Sequence, residues 1–255
     1  MSRWKVREAL DRGGILCHIS LHCRSPVLVE ALKDVPLDFA YIDTEHWGVD
    51  WEAMENVIRA ADLVDLPILV RVDEEGFFDQ VRKCLELGAQ GVILPHTDSK
   101  RKVEELVRAA KFPPIGARGS GPCRPFYVSG SKNAEQTNRG TIIYLMIEDP
   151  KGVENIDEIL SVKGVDIAGV ARGDFALAAG YPGQVEHPVV EEAVMKVISR
   201  AKKAGVAPMI QYWATGSKVK RYTDAGARVI SLAGDYTLFR QKCAETIDQV
   251  RKLVG

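Results

Sequence analysis

The sequence predicts a (β/α)8 barrel, an α/β fold of the TIM type in which eight parallel strands alternate with helices. Short apolar runs alternate with longer amphipathic stretches from one end of the chain to the other. The apolar runs are hydrophobic nearly throughout, which is typical of parallel strands buried on both faces. Eight such units in a chain of 255 residues match the size of this barrel.

The individual elements follow from hydrophobic periodicity. The apolar runs predict strands near residues 14–20, 39–45, 67–72, 91–95, 142–148, 166–171, 207–212 and 228–232. Amphipathic patterns predict helices over 51–62, 77–87, 100–111, 189–204 and 216–225, and a last helix over 238–253. Gly88, Gly205 and Gly226 follow three of these helices and are expected to end them. A doubly wound open sheet is the rival fold, but no glycine-rich dinucleotide or phosphate-binding motif follows the first strand.

One segment departs from the repeat, over residues 112–141, between the fourth unit and the fifth strand. It is rich in Gly, Pro, Ser and Arg, and a surface insertion is one interpretation. The other is a flap over the active site, because long connections after barrel strands cover the catalytic face. Arg118 and Arg124 stand among its glycines and suit a loop that faces an anion. No linker interrupts the rest, so residues 1–255 are expected to form one domain.

Composition narrows the class of protein. The formal net charge is −1 and acidic and basic residues are interspersed, so nothing favours binding to nucleic acid or to a membrane surface. No apolar run is long enough to span a bilayer, and the polar first residues do not resemble a signal peptide. The five cysteines include no C-x-x-C pair, which is typical of reduced thiols in a cytoplasmic enzyme.

Two carboxylates stand at the ends of neighbouring predicted strands. Glu148 ends the fifth apolar run, and Asp174 follows the sixth. Because neighbouring parallel strands bring their carboxyl ends together, both side chains are expected at one point of the barrel rim. Two carboxylates with open coordination positions suit Mg²⁺ or Mn²⁺. Zinc favours His or Cys ligands, and neither residue type accompanies this pair in the sequence.

Other strand ends supply groups for proton transfer and anion binding. His46 follows the second strand within Asp43-Thr44-Glu45-His46, and its imidazole suits a base near neutral pH. Arg71 ends the third strand and suits a carboxylate or enolate oxygen, although pairing with Asp43 or Glu45 is the alternative. The backbone amides of Gly173 and Asp174 suit a substrate carboxylate.

The remaining histidines are expected to be structural or to lie on the surface. They are His18, His22, His96 and His187.

These residues together resemble the HpcH/HpaI aldolase family. The resemblance rests on motifs that run in order over nearly the whole chain: Asp43-x-Glu45-His46, Arg71, Gly88-Ala89-Gln90-x-Val92-Ile93-Leu94-Pro95, Pro113-Pro114-x-Gly116-x-Arg118-Gly119, Gly173-Asp174 and Gly180-Tyr181-Pro182. It implies a modified (β/α)8 barrel of the phosphoenolpyruvate/pyruvate superfamily. It also implies a homo-oligomer, a trimer or hexamer, in which terminal helices are exchanged between barrels.

The resemblance also implies an activity and residue roles. The enzyme would be a class II aldolase that interconverts 4-hydroxy-2-keto acids with pyruvate and an aldehyde through a metal-stabilised enolate. Glu148 and Asp174 would bind Mg²⁺ or Mn²⁺, with Co²⁺ as a further candidate. Arg71 would hold the keto or enolate oxygen, His46 would transfer protons, and Glu86 would orient His46.

The 112–141 segment is expected to act on the acceptor. Arg118 and Phe126 would line the aldehyde pocket, in part across a subunit interface, because the related aldolases place this loop near a barrel mouth of the oligomer.

Two residues depart from the family pattern. Met146 stands where relatives often carry a polar residue, and Arg172 stands where a small residue or proline is usual. Arg172 would bring an extra cation close to the metal ligands. Alternatives on the same scaffold are an oxaloacetate decarboxylase and a CoA-ester lyase, and a further alternative is a non-catalytic keto-acid-binding barrel. A Schiff-base route is disfavoured because no predicted strand ends in lysine.

Overall fold

A computed structural model describes residues 4–74, 76–128 and 133–255. Eight parallel strands form one closed barrel in the order of the sequence, from β1 beside β2 round to β8 beside β1. The strands are β1 (Leu16–Leu21), β2 (Phe39–Asp43), β3 (Ile68–Arg71), β4 (Gly91–Leu94), β5 (Ile142–Ile147), β6 (Ile167–Val170), β7 (Ala207–Gln211) and β8 (Val229–Gly234). The predicted barrel is confirmed, and the open doubly wound sheet is excluded.

Helices follow the strands and surround the barrel. They are α1 (Lys5–Asp11), α2 (Pro26–Glu30), α3 (Trp51–Leu63), α4 (Phe77–Leu87), α5 (Lys100–Ala110), α6 (Arg124–Val128), α7 (Ala134–Gly140), α8 (Pro150–Glu154), α9 (Ile156–Leu160), α10 (Arg172–Ala178), α11 (Pro188–Ala204), α12 (Tyr212–Thr215), α13 (Val219–Ala225) and α14 (Asp235–Val254). Where the sequence predicts one helix over 216–225, a 3-10 turn over Gly216–Lys218 precedes α13. Among the described residues, no helix is both long and apolar enough to cross a membrane.

Glycines end three of these helices as expected. Gly88, Gly205 and Gly226 follow α4, α11 and α13, each with a positive φ angle. Glycine adopts this backbone conformation without steric cost, so the chain turns there into the next strand.

Two layers of apolar side chains hold the barrel. Inside it, alternate strand residues such as Leu16, Phe39, Ile93 and Met209 pack with Val6 of α1, which covers the amino-terminal end. Between strands and helices lie two larger clusters, for example Ile143 and Leu145 against Leu106 of α5. The barrel is thus a packed core, and the carboxyl ends of its strands are left to carry polar groups.

The 112–141 segment lies at the other end of its own barrel. It follows α5, which returns from the carboxyl end of β4, and it leads into the start of β5. Accordingly, Arg7 of α1 donates to the carbonyl of Arg139, and Arg124 pairs with Asp62 near the end of α3. The expectation of a flap over the mouth of the same barrel is therefore wrong, because the segment is a helix-to-strand connection. Residues 129–132 of the segment lie outside the described part of the chain.

Candidate active site

Four neighbouring strands carry a polar cluster at their carboxyl ends. Asp43 ends β2 and Glu45 follows it, Arg71 ends β3, His96 follows β4, and Glu148 follows β5. The strand register places Asp43 beside Arg71. Strand pairing alone therefore brings together groups that are widely separated in sequence.

Arg71 is buried and held by two carboxylates. Its Nε donates to Asp43 Oδ1 at 2.9 Å and one terminal nitrogen donates to Asp43 Oδ2 at 2.5 Å, which is a bidentate pair. The other terminal nitrogen lies 2.9 Å from Glu45 Oε2. Although burial alone would raise the pKa of Asp43, contacts with His22 and Arg71 hold it well below its usual range. The pairing with Asp43 and Glu45 is thus real, and it fixes the plane of the guanidinium at the mouth.

His96 bridges two acidic residues. Its Nε2 lies 3.0 Å from Glu45 Oε1 and its Nδ1 lies 3.1 Å from Glu148 Oε2, which also accepts the His96 backbone N–H at 2.9 Å. The backbone at His96 has a φ angle of 43°, a left-handed conformation that is uncommon outside glycine and that concentrates at functional sites. From the sequence, His96 is expected to be structural or superficial, and the structure places it between two carboxylates of the cluster at the mouth.

Glu148 is a buried carboxyl group with too few polar partners to offset its burial. Its side chain is 1% exposed, and Oε1 has no hydrogen-bond partner in the described structure. Burial and, to a smaller extent, the nearby charge of Asp174 together raise the pKa of Glu148 to about 7, against the lowering effect of the His96 backbone N–H. Such a group favours a cation at its free oxygen.

The donor atoms of this cluster fit a metal ion. One ligand atom from each of Glu45, His96 and Glu148 lies within 4.8 Å of the other two. A set of oxygens with one imidazole nitrogen suits Mn²⁺, Co²⁺ or Zn²⁺ as well as Mg²⁺. The argument that no histidine accompanies the carboxylates therefore fails, because His96 reaches Glu148 from the neighbouring strand.

Comparison with known proteins agrees with this geometry. The profile of the family described as HpcH/HpaI aldolase/citrate lyase matches residues 21–242. The chain belongs to the HpcH/HpaI aldolase/citrate lyase family.

Individual relatives support the assignment. The chain is 29% identical over 240 residues to the hydroxypyruvate/pyruvate aldolase of Roseobacter denitrificans, covering 91% of each protein. It is 25% identical over 258 residues to the 5-keto-4-deoxy-D-glucarate aldolase of a Shigella boydii strain, covering 98% of this chain and 97% of that one. The crystal structure of an HpcH/HpaI aldolase from Desulfitobacterium hafniense superposes with a TM-score of 0.89 at 27% identity, over 96% of each chain. The protein is therefore a carbon–carbon lyase of the aldolase type.

Asp174 lies near Glu148 in this aldolase, as the charge interaction between them shows. It occupies the first turn of α10 and is exposed, so its carboxylate is free to reach a shared ligand. Open space lies beside the α-carbon of Gly173. The positions of Glu148, Asp174 and Gly173 are compatible with their predicted roles.

Arg172 does not add a cation to the candidate metal site. Its guanidinium is buried, donates to Glu191 Oε1 at 2.6 Å and to the Tyr222 hydroxyl at 2.9 Å, and also reaches the Val185 carbonyl. Tyr222 in turn donates to Glu191 Oε2 at 2.6 Å. The expectation is wrong because the side chain turns outward and joins α10 to α11 and α13.

His46 and Glu86 lie apart within one chain. The His46 side chain is 55% exposed at the mouth, with Nε2 3.7 Å from Glu45 Oε2. Glu86 stands at the far end of α4, where it pairs with Arg82 at 3.2 Å. No hydrogen bond or ion pair joins Glu86 to His46 in the described parts of the chain. Within a single barrel Glu86 therefore does not orient His46, because α4 runs away from the mouth.

Arg118 and Phe126 are also remote from Glu148. Both line a cleft beside Phe112 and Thr137, and the Arg118 guanidinium stacks 4.8 Å over the Phe112 ring. Arg118 is buried, and its Nε has no hydrogen-bond partner in the described structure. The sequence led us to expect these residues in the aldehyde pocket, in part across a subunit interface. Within this chain, the direction of the connection puts them at the end of the barrel opposite Glu148.

Proposed function

We propose that this protein is a class II pyruvate aldolase that interconverts 4-hydroxy-2-keto acids with pyruvate and an aldehyde. The observation that carries the proposal is the fixed guanidinium of Arg71 beside the undercompensated carboxylate of Glu148. A keto acid presents an anionic oxygen to Arg71 and a second oxygen to a cation held by Glu148. Relatives named as hydroxypyruvate/pyruvate aldolase and 5-keto-4-deoxy-D-glucarate aldolase agree with this substrate class.

Glu148 and Asp174 are the proposed metal ligands, and His96 and Glu45 are the side chains placed to complete or support the set. Mg²⁺ or Mn²⁺ is the proposed cofactor, with Co²⁺ as a further candidate because His96 offers nitrogen. When bound, a divalent cation supplies a Lewis acid that withdraws charge from the keto oxygen of the substrate.

The residues of the chain carry the remaining steps. Arg71 holds the keto oxygen as negative charge develops on it, and its pairing with Asp43 keeps its donors in place without reorganisation. The backbone amide of Gly173, in the first turn of α10, is the proposed contact for the substrate carboxylate. His46, exposed at the mouth, transfers the proton of the substrate hydroxyl during cleavage or returns it during synthesis.

Lysine chemistry is a poorer explanation of the site. Lys102, near the mouth, donates to the His96 carbonyl at 3.0 Å and pairs with Glu74 at 2.8 Å. Lys151 pairs with Asp98 at 2.8 Å. A Schiff base requires a free amine inside the mouth, whereas these two amines are held as charged partners outside it.

The first experiment is pyruvate release from a panel of 4-hydroxy-2-keto acids, after EDTA treatment and with each metal added back. We expect cleavage that depends on Mg²⁺, Mn²⁺ or Co²⁺. The same assay with oxaloacetate and with malyl-type thioesters tests the decarboxylase and CoA-ester lyase alternatives. Activity that persists after thorough metal removal would exclude the metal-dependent mechanism, and no turnover of any substrate would favour a keto-acid-binding barrel.

We also propose that the enzyme is a cytoplasmic homo-oligomer, a trimer or hexamer, in which each barrel mouth is completed by a neighbour. The exposed stripe of α14 includes Phe239, Ile247 and Val250, at the spacing of one helix face. A second copy would cover this stripe. Arg118, Phe126 and Glu86 lie away from the mouth of their own barrel, so a role at an active site requires that of another copy.

Mixed oligomers test this arrangement. Glu148→Ala removes a residue that each barrel uses itself, whereas Arg118→Ala removes one that it would lend to its neighbour. Refolding equal amounts of the two variants together should restore part of the activity on a large aldehyde, since some mouths then hold intact residues of both kinds. Activity equal to the average of the separate variants would reject the shared mouth.

A further inference from the structure

A second charged cluster lies on the other side of the mouth, formed by β8, β1 and β2. His22 directly follows β1, and its side chain is 10% exposed. Its Nε2 lies 3.7 Å from Asp43 Oδ2, and its Nδ1 lies 3.5 Å from Asp235 Oδ1. These are distances between charged groups and not short hydrogen bonds. His22 therefore stands between two buried carboxylates, one of which holds Arg71.

Asp235 fixes the backbone of this cluster. Its carboxylate accepts the backbone N–H groups of His22 at 3.1 Å, Cys23 at 2.9 Å and Tyr236 at 2.7 Å. Asp235 is also the first residue of α14 and the only buried residue of that helix. The start of α14 is thus attached to the end of β1 through one side chain.

Aromatic rings and a close backbone contact define the position of the His22 ring. Trp47 and Tyr236 each lie with their ring centroids 5.0 Å from that of His22. Behind the ring, a β-carbon added at Gly234 would meet His22 Nδ1 at 2.8 Å. Any side chain at position 234 would therefore displace the imidazole, and glycine permits the close approach.

We propose that His22 and Asp235 are positioning residues that hold the Asp43 carboxylate, and through it the Arg71 guanidinium, so that the start of α14 is coupled to the substrate-binding arginine. The four side chains form a row of alternating charge from Asp235 through His22 and Asp43 to Arg71. This inference rests on the proposed role of Arg71 in substrate binding. It gives His22 a function that neither the sequence nor the family motifs indicate.

Electrostatics support a charged His22. Burial alone would lower its pKa, but contacts with Asp235 and Asp43 outweigh burial and raise it above the usual value. The groups that face the ring are Asp43 from β2, Trp47 from the following loop, and Asp235 and Tyr236 from α14. No further cation faces it among these contacts. The protonated ring therefore compensates one carboxylate on each side.

The sign of the pH dependence follows from this shift. Because the folded-state pKa is raised, charged His22 contributes stability that is fully present below the unfolded-state pKa of about 6.5. That contribution is lost as pH rises through the folded-state pKa. The row of charges should accordingly be tightest at low pH and loosest above neutrality.

The test compares His22→Gln and Asp235→Asn with His187→Asn, which changes a histidine that stacks on Tyr181 and caps α11. ¹⁵N NMR of histidine-labelled protein should show a raised pKa for His22 in the wild type and a lower one in Asp235→Asn. Exchange of the Arg71 Nε–H should be about tenfold faster in both cluster variants. His187→Asn should match the wild type in both measurements.

Kinetics complete the test. We expect His22→Gln to lower kcat/KM for the keto acid about tenfold at pH 6 and to remove a decline of kcat/KM with rising pH that the wild type shows. The double variant His22→Gln/Asp235→Asn should have a kcat/KM no lower than that of His22→Gln alone, since both residues act in one row of charges. An unchanged pH profile together with unchanged Arg71 Nε–H exchange would overturn the proposal. If no substrate is turned over but exchange still accelerates, the proposed function fails while the positioning role stands.

Discussion

Buried charged side chains at the two ends of the barrel differ in the partners that surround them. At the amino-terminal end, Lys111 donates to the carbonyls of Asn138 and Thr141, and Asp166 pairs with Arg7 and accepts the Ile143 N–H at 2.8 Å. At the carboxyl end, Glu148 keeps one oxygen without a partner and its pKa is raised to about 7. At the amino-terminal end Lys111 and Asp166 have hydrogen-bond partners within the chain, whereas at the carboxyl end one oxygen of the buried Glu148 carboxyl group has none among the described residues.

This difference indicates that the buried charges of the amino-terminal end serve stability, whereas Glu148 at the carboxyl end serves the proposed function. A buried ion pair with its partners in place is costly to break, while a buried carboxylate with too few partners is typical of a functional site and fits the proposed binding of a cation at Glu148. Arg118 is the exception at the amino-terminal end, because its buried Nε has no partner among the described residues. That exception agrees with the proposal that Arg118 serves a neighbouring copy.

The largest contrast is expected between Glu148→Gln and Asp166→Asn. Glu148→Gln should lower kcat by about 10³-fold or more, because the variant loses a carboxylate that we propose as a metal ligand. Its metal-free form should unfold at the same or a higher temperature, since a buried charge without a full set of partners is removed. Asp166→Asn should do the reverse, with near-normal kcat and a lower Tm.

Steady-state assays and thermal unfolding of the two variants check this contrast, and calorimetry with Mn²⁺ reports binding directly. Unchanged Mn²⁺ affinity in Glu148→Gln would contradict its assignment as a ligand. A large loss of activity in a folded Asp166→Asn protein would show that the two ends are not separate in function.

Arg71→Lys should have the next largest effect. Lysine keeps the charge but loses the planar fork that Asp43 and Glu45 hold, so kcat and kcat/KM should both fall by about one to three orders of magnitude. The matched control is Arg7→Lys at the opposite end, which should change Tm and leave kcat within about twofold. A near-normal kcat in Arg71→Lys would mean that Arg71 only pairs with its acidic neighbours.

A smaller effect on stability is expected from Lys111. Burial lowers the pKa of Lys111 to about 8, so between about pH 8 and the unfolded-state value near 10.4 the unfolded chain binds one more proton. This residue therefore makes the protein more stable as pH rises through that window, by on the order of 1–3 kcal/mol.

Chemical denaturation at several pH values, compared with Lys111→Met, isolates this contribution. The wild type should gain stability relative to the variant as pH rises above about 8. If the difference in free energy of unfolding between the two proteins stays constant with pH, the pKa of Lys111 is not lowered in the folded state.

The smallest effect is expected at Arg118. Arg118→Gln should change the ranking of aldehyde acceptors by a few-fold, while exchange of the pyruvate methyl protons for deuterium stays near the wild-type rate. NMR of pyruvate in D₂O measures exchange, and competition between aldehydes measures the ranking. Loss of exchange as complete as that in Glu148→Gln would place Arg118 in the pyruvate half of the reaction.

Strand ends were the informative part of the sequence. Long apolar runs predicted all eight strands, and the rule that parallel strands share a carboxyl end placed Arg71 and Glu148 at one rim. The same rule applied to His96, which directly follows Pro95 at the end of β4. It was missed because each histidine was weighed by itself, whereas its contacts with Glu45 and Glu148 come from tertiary structure.

Two sequence-based predictions were wrong for physical reasons that hydrophobic periodicity cannot reveal. The 112–141 segment was assigned to the mouth by its length and composition, although its position after a helix determines which end it occupies. Arg172 was assigned to the metal site by its nearness to Asp174 in sequence. Its partners Glu191 and Tyr222 lie on later helices, and only the packing of α11 and α13 against α10 reveals them.

That outward-facing arginine has a consequence for how the enzyme can change. Arg172, two residues before Asp174, pairs with Glu191 of α11 and also donates to the Val185 carbonyl, so the end of the loop between α10 and α11 is attached to the first turn of α10. Substitutions along that loop can alter its surface without moving the turn that carries Asp174. An evolving or engineered lineage can therefore vary the rim here while Asp174 keeps its place, provided that Glu191, on the outside of the barrel, keeps its pair with Arg172.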